Sequence, residues 1–143
     1  MALNILKLCV GCDSVEDLEA WIAHKRAERA RDGHTQHFHI TRMVPQRQAE
    51  VLDGGSLYWV IKGTVQCRQQ LVGIEPFTDG EGIGRCRLLL DSEVVRTHWQ
   101  PRRPFQGWRY LQPIDAPGDL GAGGEMAEMP PKLRLELAEL GLL

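Results

Sequence analysis

The sequence lacks the features that define several protein classes. No apolar run in its 143 residues approaches the roughly 20 residues that cross a bilayer. The segment MALNILKLCVG has no basic residue ahead of its apolar stretch and no small-residue cleavage pattern, so we expect no signal peptide and a cytoplasmic location. Four cysteines in such a chain predict free thiols and not a disulfide framework. A net charge of -2 argues against a general nucleic-acid coat.

The charge that is present is unevenly distributed. From Ile40 to Gln112 there are ten Lys or Arg against seven Asp or Glu. From Pro113 to Leu143 there are two basic residues against six acidic ones. Because charges of one sign concentrate ligands of the other, we expect an anionic ligand to bind in the centre of the chain.

The residue patterns predict one domain over residues 1–143 with mixed secondary structure. Ser14 stands three residues before Asp17, a capping arrangement that predicts a helix ending near Gly33. A second, short helix is predicted over 46–52. About six strands are predicted, at residues 4–10, 37–43, 56–62, 64–75, 85–91 and 94–99.

The C-terminal part differs from the β-rich centre in composition. A linker rich in proline and glycine is predicted over about 113–129, before a short closing helix with Leu133, Leu137 and Leu140 on one face. The order of elements is therefore β, α, β, α and then mostly β. It predicts an α+β fold with a small mixed sheet or a partly open barrel, an N-terminal helix and a short C-terminal helix.

Cys9 and Cys12 form a Cys-x-x-Cys pattern between a predicted strand and a predicted helix. Such a pair can ligate zinc, here with His37 and His39, or act as a redox couple. A redox pair is activated by a helix that starts within the motif, whereas the cap Ser14 follows both thiols. We expect two apolar thiols at a strand end, with no metal site and no cofactor.

Basic and aromatic residues are the stronger indication of function. On a strand, residues two apart share a face, so the sequence from Lys62 to Gln70 predicts a row of donors that includes Arg68. Arg85 and Arg87 form a second such pair. The segment RRPFQGWRYL, residues 102–111, combines stiffening prolines with arginines and aromatics. The predicted ligand groove consists of Lys62, Arg68, Arg102, Arg103 and Arg109, with Tyr58 or Trp108 as the stacking partner of a base.

Three long segments carry a resemblance to a known family. At GSLYWVIKG (55–63), CRQ (67–69) and RPFQGWRYL (103–111) the sequence resembles the short bacterial proteins catalogued as domain of unknown function 1489. The likeness extends from KLCVG near the start to LAELG near the end, and it implies no activity and no catalytic residue.

A more distant resemblance is to the PUA-like superfamily, including ASCH and EVE domains. Ile61-Lys62-Gly63 followed by Arg68 looks like a loosened ASCH pattern in which Gln66 stands where a glutamate would be. This resemblance implies a small mixed barrel with a polar groove that binds RNA or modified bases.

The first functional expectation is binding of RNA or a nucleotide-like ligand in the basic groove. An alternative is a small hydrolase or nuclease on a nucleic-acid or phosphorylated substrate, with His39 or His98 as base. No nucleophile and base are spaced as a catalytic set, so an enzyme is the less supported reading. A third alternative is a protein-interaction module that uses the acidic tail from Glu125 to Glu139.

Overall fold

The protein contains a seven-stranded mixed sheet with two α-helices in the described part of the chain. The computed structural model describes residues 2–33, 35–103 and 105–120. The strands are β1 (Asn4–Leu8), β2 (Phe38–Thr41), β3 (Ser56–Ile61), β4 (Thr64–Thr78), β5 (Gly84–Leu90), β6 (Val95–Pro101) and β7 (Trp108–Leu111). The helices are α1 (Val15–Arg31) and α2 (Gln48–Leu52), and a 3-10 turn spans Pro113–Asp115.

Helix α1 forms where the local sequence predicts it. The Ser14 hydroxyl accepts a hydrogen bond from the Asp17 amide at 3.1 Å, and the Asp17 carboxylate accepts one from the Asp13 amide at 3.0 Å. These two bonds satisfy amides that the helix itself leaves without a partner. Gly33 follows the helix with a φ of +84°. The helix packs on the sheet through a stripe of Val15, Leu18 and Ile22.

The sheet is open and mainly antiparallel. Its strand order is β2-β5-β4-β3-β1-β7, with β6 paired to β4. β1 and β3 are the parallel pair, and each of the other strand pairs is antiparallel. β4 is long enough to serve two groups of strands, because residues 64–70 pair with β3 and β6 while residues 71–78 pair with β5.

Two apolar clusters cover opposite faces of the sheet. Side chains alternate between faces along a strand, so neighbouring residues of β3 enter different clusters. The helix-side cluster includes Leu57, Trp59, Ile61, Cys67, Leu88, Trp108 and the stripe of α1. The opposite cluster contains Leu6, Tyr58, Val60, Val65 and Leu111, with Phe105 and Ala116 against it. Consequently every residue of β3 is buried.

The predicted mixed fold with an N-terminal helix is confirmed, and the six predicted strands correspond to β1 through β6. A tight turn joins β3 to β4, and both of its residues, Lys62 and Gly63, have positive φ. β7 was missed: it lies in the segment 102–111, for which no strand was predicted, and it pairs with the distant β1.

The predicted donor row on β4 is wrong at two positions. Thr64 and Gln66 are 1% and 5% exposed, and the Gln66 amide donates to the carbonyl of Ile61 at 3.0 Å. A shift in the pairing of β4 with β6 between Val65 and Cys67 breaks the simple alternation there.

The predicted C-terminal helix, the acidic tail and most of the predicted linker lie outside the described residues. None of the helices within the described ranges is long and apolar enough to cross a membrane.

Candidate functional site

A cleft of about 540 Å³ opens at the carboxyl end of β1, beside the first turns of α1. It is lined by Lys7, Leu8, Cys9, Val10, Gly11, Cys12, Asp17, Leu18, Trp21, His39 and Trp59. The cleft lies at the common carboxyl end of the parallel strands β1 and β3, and a concave, mostly apolar pocket with a few polar groups is typical of a ligand site. This cleft is therefore the first candidate for a ligand site.

Two tryptophans provide aromatic walls of the cleft. The Trp59 indole donates to the Gln69 side-chain oxygen at 2.8 Å, and the Gln69 amide donates to the Asp91 carbonyl at 2.9 Å. This chain of bonds fixes the ring of Trp59 from within the core. Trp21, by contrast, is 39% exposed on α1, so its ring is accessible to a ligand.

His39 presents an unsatisfied nitrogen in the same region. Its ring lies edge-on to Trp59 with centroids 5.0 Å apart. Its Nε2 is buried and has no hydrogen-bond partner among the described residues. Burial, reinforced by the positive charge of Lys7, lowers the pKa of His39 to about 4. The imidazole is therefore neutral at physiological pH and available for a hydrogen bond.

Lys7 supplies a positive charge without a counter-ion. Its side chain is half-buried, and burial lowers the pKa of its amine from the ordinary value. The carboxylate in the cleft, Asp17, accepts the Asp13 amide, and within the described ranges Lys7 forms no ion pair. Because transfer of a charge from water is costly unless it is paired, an anion in the cleft would stabilise this amine.

Of the two cysteines in the cleft, Cys9 has the properties of a structural thiol. Burial raises the pKa of the Cys9 thiol, and a hydrogen bond with Cys12 raises it further. A reactive cysteine needs the opposite shift, since the thiolate is the nucleophile. Within the described part of the chain, no three His, Cys, Asp or Glu side chains are grouped to hold a metal ion. His39 lies in the cleft, whereas His37 lines a separate pocket.

Part of the predicted basic groove lies at the same end of the sheet as the cleft. The Arg102 amide donates to the Gly63 carbonyl at 2.8 Å, which places Arg102 beside Lys62. Lys62 is 3.4 Å from the Asp13 carboxylate, next to the cleft loop. The guanidinium of Arg102 donates to the Gln100 side-chain oxygen at 2.7 Å, while Arg103 is exposed.

Arg68 and Arg109 share one row across the sheet, which the sequence did not reveal. The strand registers align Arg109 with Leu6, Leu6 with Tyr58, and Tyr58 with Arg68. Arg68 donates two hydrogen bonds to the Asp119 carboxylate, at 2.8 and 2.7 Å, so its charge is already balanced. Arg109 is exposed and lies over Phe105, 5.2 Å from the ring centroid.

The two predicted stacking partners are core residues on opposite faces. Tyr58 is 7% exposed and belongs to the cluster away from the helix. Trp108 is 5% exposed, packs in the helix-side cluster and donates to the Met43 carbonyl at 2.8 Å. The structure thus places Lys62 and Arg102 at one end of the sheet and Arg68 and Arg109 on one of its faces. Neither of the two predicted rings is accessible to a ligand.

Of the histidines proposed as bases, His39 lies in the cleft, and His98 lies on β6 beside Gly118, near Asp119. Asp119 is held by Arg68, and that bond lowers the pKa of its carboxyl group. No nucleophile joins His98 and Asp119 among the bonds of the described residues.

Sequence reasoning missed Lys7 and Trp21 as site residues. The signal was a single lysine between leucines in an apolar strand, since lysine is almost never buried without a partner.

Comparisons with known proteins agree with the family resemblance of the sequence. No curated protein matches the chain, and no solved structure matches it. The model of one family, described as protein of unknown function (DUF1489), matches residues 5–143. The chain therefore belongs to the DUF1489 family.

Proposed function

We propose that the protein binds a nucleotide-like small molecule, a planar ring that carries an anionic group, in the cleft at the end of β1. The observation that carries this proposal is the half-buried amine of Lys7, which lines the cleft and forms no ion pair with any residue that the structure describes. A volume of about 540 Å³ suits a ligand of this size. The proposal concerns binding and assigns no reaction.

Each wall of the cleft has a role in this complex. Lys7 pairs with the anionic group, and the exposed ring of Trp21 stacks on the planar group. His39 gives or accepts one hydrogen bond through its unsatisfied Nε2, which would distinguish ligand rings by their polar edge. The mixture of apolar walls with a few polar groups is typical of small-molecule sites.

RNA binding in the groove of Lys62, Arg68, Arg102, Arg103 and Arg109 stays a prediction. Lys62 and Arg102 lie beside the cleft loop, and the exposed Arg103 follows, so a chain of nucleotides could extend from the cleft along them. The PUA-like relationship and the cytoplasmic location also stay predictions, as does the hydrolase alternative. The interaction module in the acidic tail concerns residues outside the described ranges.

The test is nucleotide binding to the wild type, Lys7→Met and Lys62→Gln. Lys7→Met keeps the apolar stem and removes the amine, whereas Lys62→Gln removes an exposed amine that is 3.4 Å from Asp13. Thermal shift and tryptophan quenching with AMP, GMP, CMP and UMP report the binding.

We expect at least one nucleotide to raise the melting temperature, and its affinity to fall about tenfold or more in Lys7→Met, as for a lost charge-assisted bond. Lys62→Gln should bind like the wild type. The cleft proposal fails if no nucleotide binds. It also fails if folded Lys7→Met binds as tightly as the wild type.

A further inference from the structure

The outer face of β2, β5 and the second half of β4 carries a stack of arginines and phenylalanines. Strand register places Phe38 and Ile40 of β2, Arg87 of β5 and Phe77 of β4 on this face, because their neighbours His39, Cys86 and Leu88 point inward. Ile40 is 41% exposed, and Phe38 and Phe77 are half-buried. This face is therefore accessible in the described part of the structure.

Two guanidinium groups lie over these rings. Arg29 reaches from α1 to the edge strand β2, where its guanidinium carbon is 3.6 Å from the centroid of Phe38. Its Nη1 donates to the Phe38 carbonyl at 2.7 Å. Arg87 lies 4.0 Å from the centroid of Phe77 and 5.6 Å from that of Phe38. The rings thus hold both guanidinium groups in one orientation.

Acidic side chains compensate the positive charge of this stack only in part, since Glu28 acts on Arg29 from a distance. Within the described ranges neither Arg29 nor Arg87 forms an ion pair, while Asp79 pairs with Arg85 at 2.6 Å. Glu75 faces Arg87 in the strand register but lies beyond ion-pair distance. Two like charges around one ring repel each other, so an anion between them would lower the energy of the arrangement.

A pocket beside the stack is also lined by positively charged side chains. Its volume is about 290 Å³, and Arg26, Arg29 and His37 are among its lining residues. His37 is 4% exposed, and its Nδ1 is buried without a hydrogen-bond partner among the described residues. The pocket therefore extends the cationic surface from Phe38 toward the end of α1 and offers a further polar atom to an anionic ligand.

We propose that the surface formed by Arg29, Phe38, Arg87 and Phe77, here called the Arg–Phe face, binds the backbone and bases of single-stranded RNA. Guanidinium groups held in place by stacking recognise phosphate through paired donors, and the adjacent rings suit unpaired bases. A duplex keeps its bases inside and cannot use the rings. The site shares no residue with the nucleotide cleft and goes beyond that proposed function.

The experiment measures binding of a labelled single-stranded RNA of about 12 nucleotides by fluorescence anisotropy, at about 50 and 200 mM salt. Arg29→Gln/Arg87→Gln tests the Arg–Phe face. Arg47→Gln/Arg96→Gln is the matched control, because it removes the same charge from two arginines that pair with glutamates outside both the Arg–Phe face and the predicted groove. Arg87→Gln alone is included because Arg29 also bonds to the backbone of Phe38.

We expect the wild type to bind the strand more tightly than a duplex of equal length. The affinity should fall roughly tenfold or more in Arg29→Gln/Arg87→Gln, with a shallower salt dependence, and several-fold in Arg87→Gln. The control should retain wild-type affinity.

Three results would overturn the proposal: no RNA binding by the wild type, equal affinity for strand and duplex, or loss of binding in the control while folded Arg87→Gln binds normally. None of them bears on the cleft, since nucleotide binding there depends on Lys7.

Discussion

Phe38 and His39 are neighbours in the chain but belong to opposite faces of β2. His39 points to the cleft, where burial lowers its pKa to about 4 and leaves Nε2 without a partner. Phe38 points outward, where its ring lies beside two charged guanidinium groups. Helix α1 covers the first face and leaves the second accessible. The comparison shows that the position of helix α1 decides which side chains each face of β2 can hold. Charged groups lie on the open face, where water hydrates them, because burying a charge under the helix is costly.

The largest expected difference in stability is between two glycine-to-alanine substitutions, one in the packed interior and one on the outer face. In Gly55→Ala the new Cβ would collide with the backbone carbonyl oxygens of Val51 and Leu3. In Gly73→Ala it would lie 2.8 Å from the flexible end of Leu89 on the outer face. We expect Gly55→Ala to lower the free energy of unfolding by more than about 3 kcal/mol and Gly73→Ala by about 1 kcal/mol.

Urea denaturation measures both changes. Equal losses in the two variants would contradict the view that the outer face adapts more easily than the packed interior.

Acid should destabilise the protein through the two histidines buried on β2 and just before it. The pKa of His37 and of His39 is lowered to about 4 by burial, from 6.5. In the unfolded chain these histidines therefore bind protons below about pH 6.5, whereas in the folded chain they stay neutral down to about pH 4. We expect the free energy of unfolding to fall by roughly 2 kcal/mol between pH 6 and 5, and to be constant below about pH 4 for these groups.

Denaturation of His39→Gln over the same pH range separates the two contributions. The variant should lose about half of the pH dependence. An unchanged slope would show that His39 is hydrated and that the cleft is wetter than its lining indicates.

The smallest expected effects have opposite signs on the two faces. Lys7→Met removes a half-buried cation without a counter-ion, so the unliganded protein should be unchanged or stabilised by up to about 1 kcal/mol. Arg87→Gln removes a cation that lies over two rings, so it should destabilise by about 0.5 to 1 kcal/mol. If Lys7→Met lost more stability than Arg87→Gln, the view that the Lys7 charge is unfavourably buried would be wrong.

Elements that depend on neighbouring residues were predictable from the sequence. The cap of α1 at Ser14, the inward stripe of that helix and the turn at Lys62–Gly63 follow from residues within a few positions of each other. β7 was missed because its pairing partner β1 is about a hundred residues away in the chain, and no local pattern encodes that contact.

The candidate site was predicted less well, because it too depends on contacts between residues that are distant in the chain. Basic residues of the centre were recognised, but Arg68 proved to be balanced by Asp119, and Tyr58 and Trp108 proved to be buried. Lys7 became a candidate only when the strand ends, α1 and β2 enclosed it without a carboxylate partner.

The sequence by itself determined helix α1, the strands β1 through β6, the family and the basic character of the centre. These properties depend on composition and on short spacings along the chain. The tertiary structure alone decided which side of β2 is covered, which arginines have acidic partners and which lysine lacks one. Pairing between distant strands sets these relations, because burial and charge compensation depend on distances in space and not on positions in the sequence.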